Sequence, residues 1–448
     1  MPLRFRSEAI IFYLKTLKPP RAPTSGGQYH WVSEFAPASY QKSLSYAAGW
    51  MSSLGWIASI SSSIYVLAAQ IQAAINVTYP EYAFTNWQYT LMMLAFLIIS
   101  ILLNTWGATV LPMLESISLF GHLAGFIITL IPLWVLCSRN SAAAVFTEVV
   151  NNGGWSNTGT ACLVSQTTVI YCLFGSDSIV HISEEAENAS LNVPRAMWWS
   201  YLGNVLMGSI MLITMLFCIG NLDSVIDSDA PYLVLFTNTG STAVALLLSV
   251  VLFILIFAGN ITCLATASRE IWAFSRDKGF PYSKWLSKMN HKWRVPFNSV
   301  YLTSLIGGIF CLINLGSTFG FNIIVSLYLL ALLSTYIISI GCVLRKRILK
   351  EDLPPARWSL GRLGLPVNAF AFCYSFLVIV FSCFPTELPV GLDTANWAPA
   401  VWAGVLLIAL AAYIMHGRSH YTPPVVFVEG RKAAGVGLQS TQETGITS

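Results

Sequence analysis

Ten apolar stretches of membrane-spanning length dominate this chain: residues 45–75, 88–110, 116–137, 160–182, 198–220, 241–267, 298–315, 320–344, 366–384 and 396–416. An α-helix needs about 20 apolar residues to cross about 30 Å of hydrocarbon. Hydrocarbon offers the backbone no water, so a crossing segment must satisfy its own N–H and C=O groups; these runs are far too long for barrel strands. The sequence therefore predicts an all-α, polytopic membrane helix bundle. Charge content agrees: 10% of the 448 residues are charged and mean hydropathy is +0.64, against about 25% charged in soluble domains. A net charge of +4 is too small for electrostatic nucleic-acid binding. No nucleic acid is expected as a partner; the lipid bilayer is.

Threading ten helices from the 20–44 loop places alternate loops on opposite faces. Of the 24 Lys and Arg residues, all but Arg139 fall on one face, including the cluster Arg269, Arg276, Lys278, Lys284, Lys288, Lys292 and Arg294. The other face holds Glu81, Glu148, Asp223, Asp227, Asp229, Glu387 and Asp393. Lys and Arg collect in cytoplasmic loops, so the basic face is expected in the cytoplasm, together with both chain ends. Of three sequons, Asn76-Val77-Thr78 then falls in the first outside loop, where glycosylation occurs, whereas Asn188-Ala189-Ser190 falls inside and Asn260-Ile261-Thr262 within a span. Three regions follow. Residues 1–44 form a cytoplasmic segment, with an apolar stretch at 9–17 too short to span but suited to the membrane interface. Residues 45–416 form the transmembrane unit, and 417–448 a tail with too little apolar content to fold. A plasma or vacuolar membrane is the expected location.

The nine cysteines lie mostly in apolar runs, form no C-x-x-C pair and stand apart from the histidines, so they read as small buried hydrophobes. No metal and no cofactor is expected. The motifs G-x-S-x-G and H-E-x-x-H and a glycine-rich phosphate loop are missing, so the chain reads as no enzyme.

Charges inside spans are costly and rare, which singles out Phe174-Gly175-Ser176-Asp177-Ser178 in the 160–182 run. One reading is a discontinuous helix, opened at Gly175 so that loose peptide groups meet a polar solute near the midplane. In the other, Asp177 merely sits near a helix end and faces water or another helix. Downstream, Ser183 can cap a short helix whose first turn carries Glu184, Glu185 and Glu187, as the helix dipole favours. Glu187 reads as solvated, whereas Glu184 and Glu185 are candidates for an inner gate. His122 reads as a buried histidine satisfied by a neighbouring carbonyl rather than a proton relay, and Glu115 as a span-end group reaching water. Asn260, in Gly259-Asn260-Ile261-Thr262, serves either helix packing or a lining role. Tyr328, Trp50 and Trp56 present rings either to a solute or to neighbouring helices. Phe174, Gly175, Ser176, Asp177, Asn260 and Tyr328 are thus the candidate substrate-binding residues, and Glu184 and Glu185 the candidate gating residues.

Several segments run in the order found in a known family. They are APTSGGQYHWVSEFAP at 22–37, NNGGW at 151–155, FGSD at 174–177 leading into HISEE at 181–185, VPRAM at 193–197, and WAFSRDKGFP at 272–281. Over residues 22 to about 416 the chain resembles the fungal amino acid/choline/GABA permeases of the amino acid–polyamine–organocation superfamily. The resemblance implies an inverted-repeat transporter fold of twelve helices, two five-helix repeats plus two, with broken first and sixth helices holding the substrate between them. The ten spans here match family helices three to twelve. The first helix and nearly all of the second are missing, and residues 1–21 do not replace them, which points to a truncated gene model or a splice form. The function implied is secondary active transport of a small amine-bearing solute (amino acid, GABA, choline or polyamine) by alternating access, with protons as the coupling ion. The alternative is a non-transporting membrane sensor or a truncated regulatory form.

Overall fold

Helices occupy the apolar runs, and their ends are set by local chemistry. In the computed structural model, residues 25–424 are described apart from 80, 83, 227, 229, 317–319, 354–359 and 392–394. The expected interfacial stretch at 9–17, the tail beyond 424, Asp227, Asp229 and Asp393 lie outside the described residues. A short helix α1 (Gly27–Phe35) is followed by α2 (Gln41–Asn76), α3 (Asn86–Thr105) and α4 (Leu111–Leu136), the last entered through a 3-10 turn. Next come α5 (Thr158–Leu173), α6 (Ser178–His181), α7 (Ala189–Cys218) and α8 (Thr242–Arg276). The chain closes with α9 (Phe297–Cys311), α10 (Gly320–Ile348), α11 (Gly364–Ser382) and α12 (Ala398–Ala412). Side-chain caps start several helices: Thr85 and Gln88 close a capping box on α3, Asn157 accepts from the Thr160 amide before α5, and Ser241 accepts from Val244 before α8.

Nine helical segments among the described residues are long and apolar enough to cross a bilayer. The tenth expected span, 160–182, is divided: α5 stops at Leu173, and α6 resumes at Ser178. The run expected to end at 267 continues as helix to Arg276, which carries its polar end onto the basic face.

The spans repeat in length. Segments of 36, 20 and 29 residues (Gln41–Asn76, Asn86–Thr105, Ala108–Leu136) are matched by 35, 20 and 29 (Thr242–Arg276, Phe297–Gly316, Gly320–Ile348). Counting the divided α5–α6 as one crossing, each member of the second set runs opposite to its counterpart, as an inverted repeat requires. α2 and α10 form the buried axis, packed against each other and against α8 and α11. α4 and α7 lie outside, with Leu119, Phe120, Leu123, Ile127, Trp199 and Leu206 exposed, the inverse of a soluble surface and the pattern lipid demands. Cys162, Cys172 and Cys373 are exposed rather than buried, Cys172 along a cavity between the helices; Cys137, Cys218, Cys311 and Cys342 are buried.

Between helices the glue is polar. Ser100 Oγ donates to Asn260 Oδ1 at 2.7 Å, and Asn104 Nδ2 donates to the Ile261 carbonyl at 3.0 Å, joining α3 to α8. At the basic end Tyr29, Tyr46, Phe274 and Tyr421 interlock, with ring centroids 5.0–5.7 Å apart. Tyr29 and Phe274 belong to the GGQYHW and WAFSRDKGFP segments, which are thereby brought into one aromatic plug.

Candidate functional site

α5 ends because the backbone turns where a side chain would resist. Phe174 is extended (φ −78°, ψ 160°), and Gly175 takes φ +102°, a region nearly closed to residues with a Cβ. A Cβ built on Gly175 would meet nothing within 4 Å. The glycine is therefore required by conformation, not by crowding. The interruption borders a cavity of about 870 Å³ lined by Phe174, Gly175, Ser176 and Ser178, by Trp56, Ser59 and Ser63 of α2, and by Gly259, Thr262, Cys263 and Thr266 of α8. α4 contributes Glu115, Ser118 and His122, α7 contributes Ser200 and Asn204, and α10 contributes Tyr328. Such a volume suits a small organic solute. Ser176 Oγ and Thr266 Oγ1 are buried with no hydrogen-bond partner among the described residues, so both are candidates to meet a polar ligand. The Phe174 ring meets Tyr328 and Tyr336 edge to face, each at 5.8 Å.

Of the predicted binding residues, then, Phe174, Gly175, Ser176 and Tyr328 border one cavity, and two do not. Asp177 is fully buried; its carboxylate accepts hydrogen bonds from Gln28 Nε2 of α1 and Tyr336 Oη of α10, and Gln28 Nε2 also approaches Tyr336 Oη at 2.9 Å. Asn260, also fully buried, bonds Ser100 and the Ile60 carbonyl, the packing alternative of its two readings. His122 reaches the Ser118 carbonyl at 3.1 Å, as expected, but is exposed rather than buried.

Beneath the break, a layer of ion pairs closes the basic end. Glu184 receives both terminal nitrogens of Arg276, at 2.7 and 2.8 Å, and the Ser25 amide at 3.0 Å. Burial pushes the Glu184 carboxyl up, but Arg276 and the Ser25 amide outweigh it and hold the group below the usual carboxylate range. Glu185 pairs with Arg269, whose Nη2 lies 3.3 Å from Oε2. The expected Ser183-capped helix is instead a single 3-10 turn, Ser183–Glu185. Two successive arginine pairs hold that turn against α8 more tightly than a dipole would. Tyr29 Oη donates to Asp277 Oδ2 at 2.9 Å, and the Thr422 amide donates to the Asp277 carbonyl at 3.1 Å. Burial pushes Asp277 up to about 7, with the Tyr29 hydrogen bond and Arg276 pulling less strongly the other way.

Sequence reasoning missed Gln28, Tyr336 and Glu270. The first two are separated from Asp177 by 149 and 159 residues, and no local pattern marks them. For Glu270 a signal exists: Gly259, Thr262, Cys263 and Thr266 recur at helical spacing along the cavity, and Glu270 is the next residue on that face.

A family described as "Amino acid permease" is matched over residues 20–410. An uncharacterized amino-acid permease of Schizosaccharomyces pombe is 31% identical over 414 residues, covering 91% of this chain and 76% of that protein. The GABA-specific permease of Saccharomyces cerevisiae is 26% identical, covering 90% of this chain and 72% of its own length. The choline transporter of the same yeast is also 26% identical, covering 89% of this chain and 71% of its own length.

Proposed function

The chain belongs to the amino acid permease family, and from that premise we propose that this integral, multi-pass membrane protein is a secondary transporter of a small amine-bearing solute, an amino acid or a related amine such as GABA or choline. The observation that carries the reading is the helix interruption at Gly175 beside a cavity of about 870 Å³. The Ser176 hydroxyl, which has no hydrogen-bond partner among the described residues, and the peptide groups exposed as the helix opens would offer hydrogen bonds to a carboxylate or hydroxyl of the solute. The rings of Phe174, Tyr328 and Trp56 suit its ammonium end. The basic face is read as cytoplasmic, so the Glu184–Arg276 and Glu185–Arg269 pairs form an inner gate. Their separation and re-formation would alternate access, with protons as the coupling ion and a plasma or vacuolar membrane as the setting.

The test is uptake into liposomes containing the purified full chain, with labelled GABA, choline and a mixture of amino acids as probes. The expected result is accumulation of at least one probe above that in protein-free liposomes, competed by the same unlabelled solute. Flux of none of them would contradict the reading; retained binding without flux would favour a sensor.

A further inference from the structure

We propose that the loop between α8 and α9 binds the headgroup of an anionic phospholipid at the basic face of the bilayer, through Lys284, Lys288 and Trp285. From residue 277 to 296 the chain reads DKGFPYSKWLSKMNHKWRVP. Lys278, Lys284, Lys288, Lys292 and Arg294 are all exposed, and no ion pair joins any of them to a described residue. Lys292 rests over the Trp293 ring, its Nζ 5.2 Å from the centre. The acid within the segment, Asp277, is buried and held by Tyr29 Oη. No further Asp or Glu occurs before Glu351. A general excess of Lys and Arg on this face accounts for the sign of the loop; its rigidity and its exposed rings need a separate cause.

The loop is a fixed frame, not a loose connection. Asn290 and Val295 form an antiparallel bridge, in which the Asn290 amide donates to the Val295 carbonyl at 3.0 Å and the Arg294 amide to the Asn290 carbonyl at 2.8 Å. Asn290 Oδ1 accepts from the amides of Lys292 and Trp293 at 3.0 and 3.2 Å. Three side chains then tie the frame to the bundle: Trp272 Nε1 donates to the Ser287 carbonyl at 3.0 Å, Ser299 Oγ to Leu286 at 2.9 Å, and Asn298 Nδ2 to Trp285 at 2.7 Å. Tyr282 and Arg294 sit at φ +59° and +54°, values that side chains of this size adopt only where surrounding contacts impose them. The outcome is that Leu286 turns inward and is buried, while Tyr282 is 84% and Trp285 52% exposed.

The Asn298 bond also fixes the height of Trp285. Residues 298, 301, 305 and 309 share one face of α9, and Tyr301, Leu305 and Ile309 are exposed along a segment able to cross the bilayer. Trp285 therefore hangs at the basic end of a lipid-facing stripe, the depth at which Trp and Tyr rings settle among headgroups. Lys284 and Lys288 flank it, with stems long enough to keep their ammonium groups at the same level. Lipid is thus the ligand already at hand. A headgroup of net negative charge offers both lysines oxygen acceptors, whereas a zwitterionic one brings an ammonium of its own that they repel.

The experiment uses the full chain in nanodiscs made mainly of phosphatidylcholine, doped with a photoactivatable phosphatidylserine or, for comparison, a photoactivatable phosphatidylcholine. The readout is the ratio of the two labelling yields on the peptide that contains Trp285. Each basic residue beside an anionic surface adds about fivefold in affinity, so wild type is expected to favour phosphatidylserine about tenfold or more at about 0.1 M salt. The ratio should fall to about twofold or less at about 1 M salt, where the screening length shrinks from about 10 Å to about 3 Å. It should fall equally far in Lys284→Gln with Lys288→Gln. The control, Lys350→Gln with Arg362→Gln, removes as much charge from exposed positions on the same face and should stay within about twofold of wild type. Equal labelling by both probes in wild type would overturn the assignment. So would an equal fall in the two double variants, which would assign the attraction to the basic face as a whole. The salt arm uses the unaltered chain and decides the matter even where a variant fails to fold. Flux enters none of these readouts, so failure of the transporter reading would leave the lipid site standing.

Discussion

Gly175→Ala is expected to lower solute flux more than tenfold while leaving the bundle folded. Space is not the obstacle, because a Cβ there would meet nothing within 4 Å. The obstacle is φ +102°, where an L residue carries about 1–3 kcal/mol of strain. The chain relieves that strain by rotating toward ordinary helical or extended values, which redirects the peptide groups between Phe174 and Ser178. One to two decades of affinity follow from a change of about 1.4–3 kcal/mol. Gly203→Ala is the control: it too has open space around its Cβ, but it lies within the regular helix α7, where alanine is favoured by about 1 kcal/mol. Parallel measurements of uptake and thermal unfolding in detergent separate the two. Equal flux in both variants would show that the special backbone at Gly175 is unimportant.

Arg276→Ala is expected to open the basic end. That guanidinium supplies two hydrogen bonds to Glu184 and stacks over the Trp272 ring at 4.7 Å. Charge-assisted bonds of this kind contribute about 1.5–3 kcal/mol each, reduced here because both partners are about a third exposed (39% and 30%). A loss of about 1.4–3 kcal/mol from the closed state raises the open fraction about ten- to hundredfold. The readout is the rate at which a water-soluble thiol reagent modifies a cysteine placed at the buried Ser183, followed by mass spectrometry. The rate should rise by the same factor in Arg276→Ala, and return toward wild type in the charge-swapped double variant Glu184→Arg with Arg276→Glu. A rate unchanged by Arg276→Ala would mean that the pair decorates the surface without sealing it.

What the sequence could disclose depended on how local each determinant is. The spans were legible because hydrocarbon leaves the backbone one solution. The interruption was legible because Gly175 and three polar neighbours sit where apolar residues are cheapest. The fate of Asp177 was not, since its partners Gln28 and Tyr336 reach it only through tertiary folding. Glu184 and Glu185 could be suspected of gating from their position, but their partners on α8 became visible only once that helix was seen to run on to Arg276. Drawing that span to end at 267 also hid Glu270, although its spacing from Thr262 and Thr266 already placed it on the cavity face. Asn260 shows the limit of a polar residue read in isolation: packing and lining demand the same side chain, and only its bonds to Ser100 and Ile60 distinguish them.

Solute protection of a cysteine placed at Ser176 tests the central claim most directly. Ser176 lines the cavity at the break, and its hydroxyl has no hydrogen-bond partner among the described residues. In Ser176→Cys the thiol should react with a small water-soluble reagent, and a saturating amino acid, GABA or choline should slow that reaction about tenfold or more, as expected when a bound ligand excludes the reagent. A thiol that reacts at the same rate with every one of these solutes present would contradict the account, for the cavity beside the interrupted helix would then not be where the solute binds.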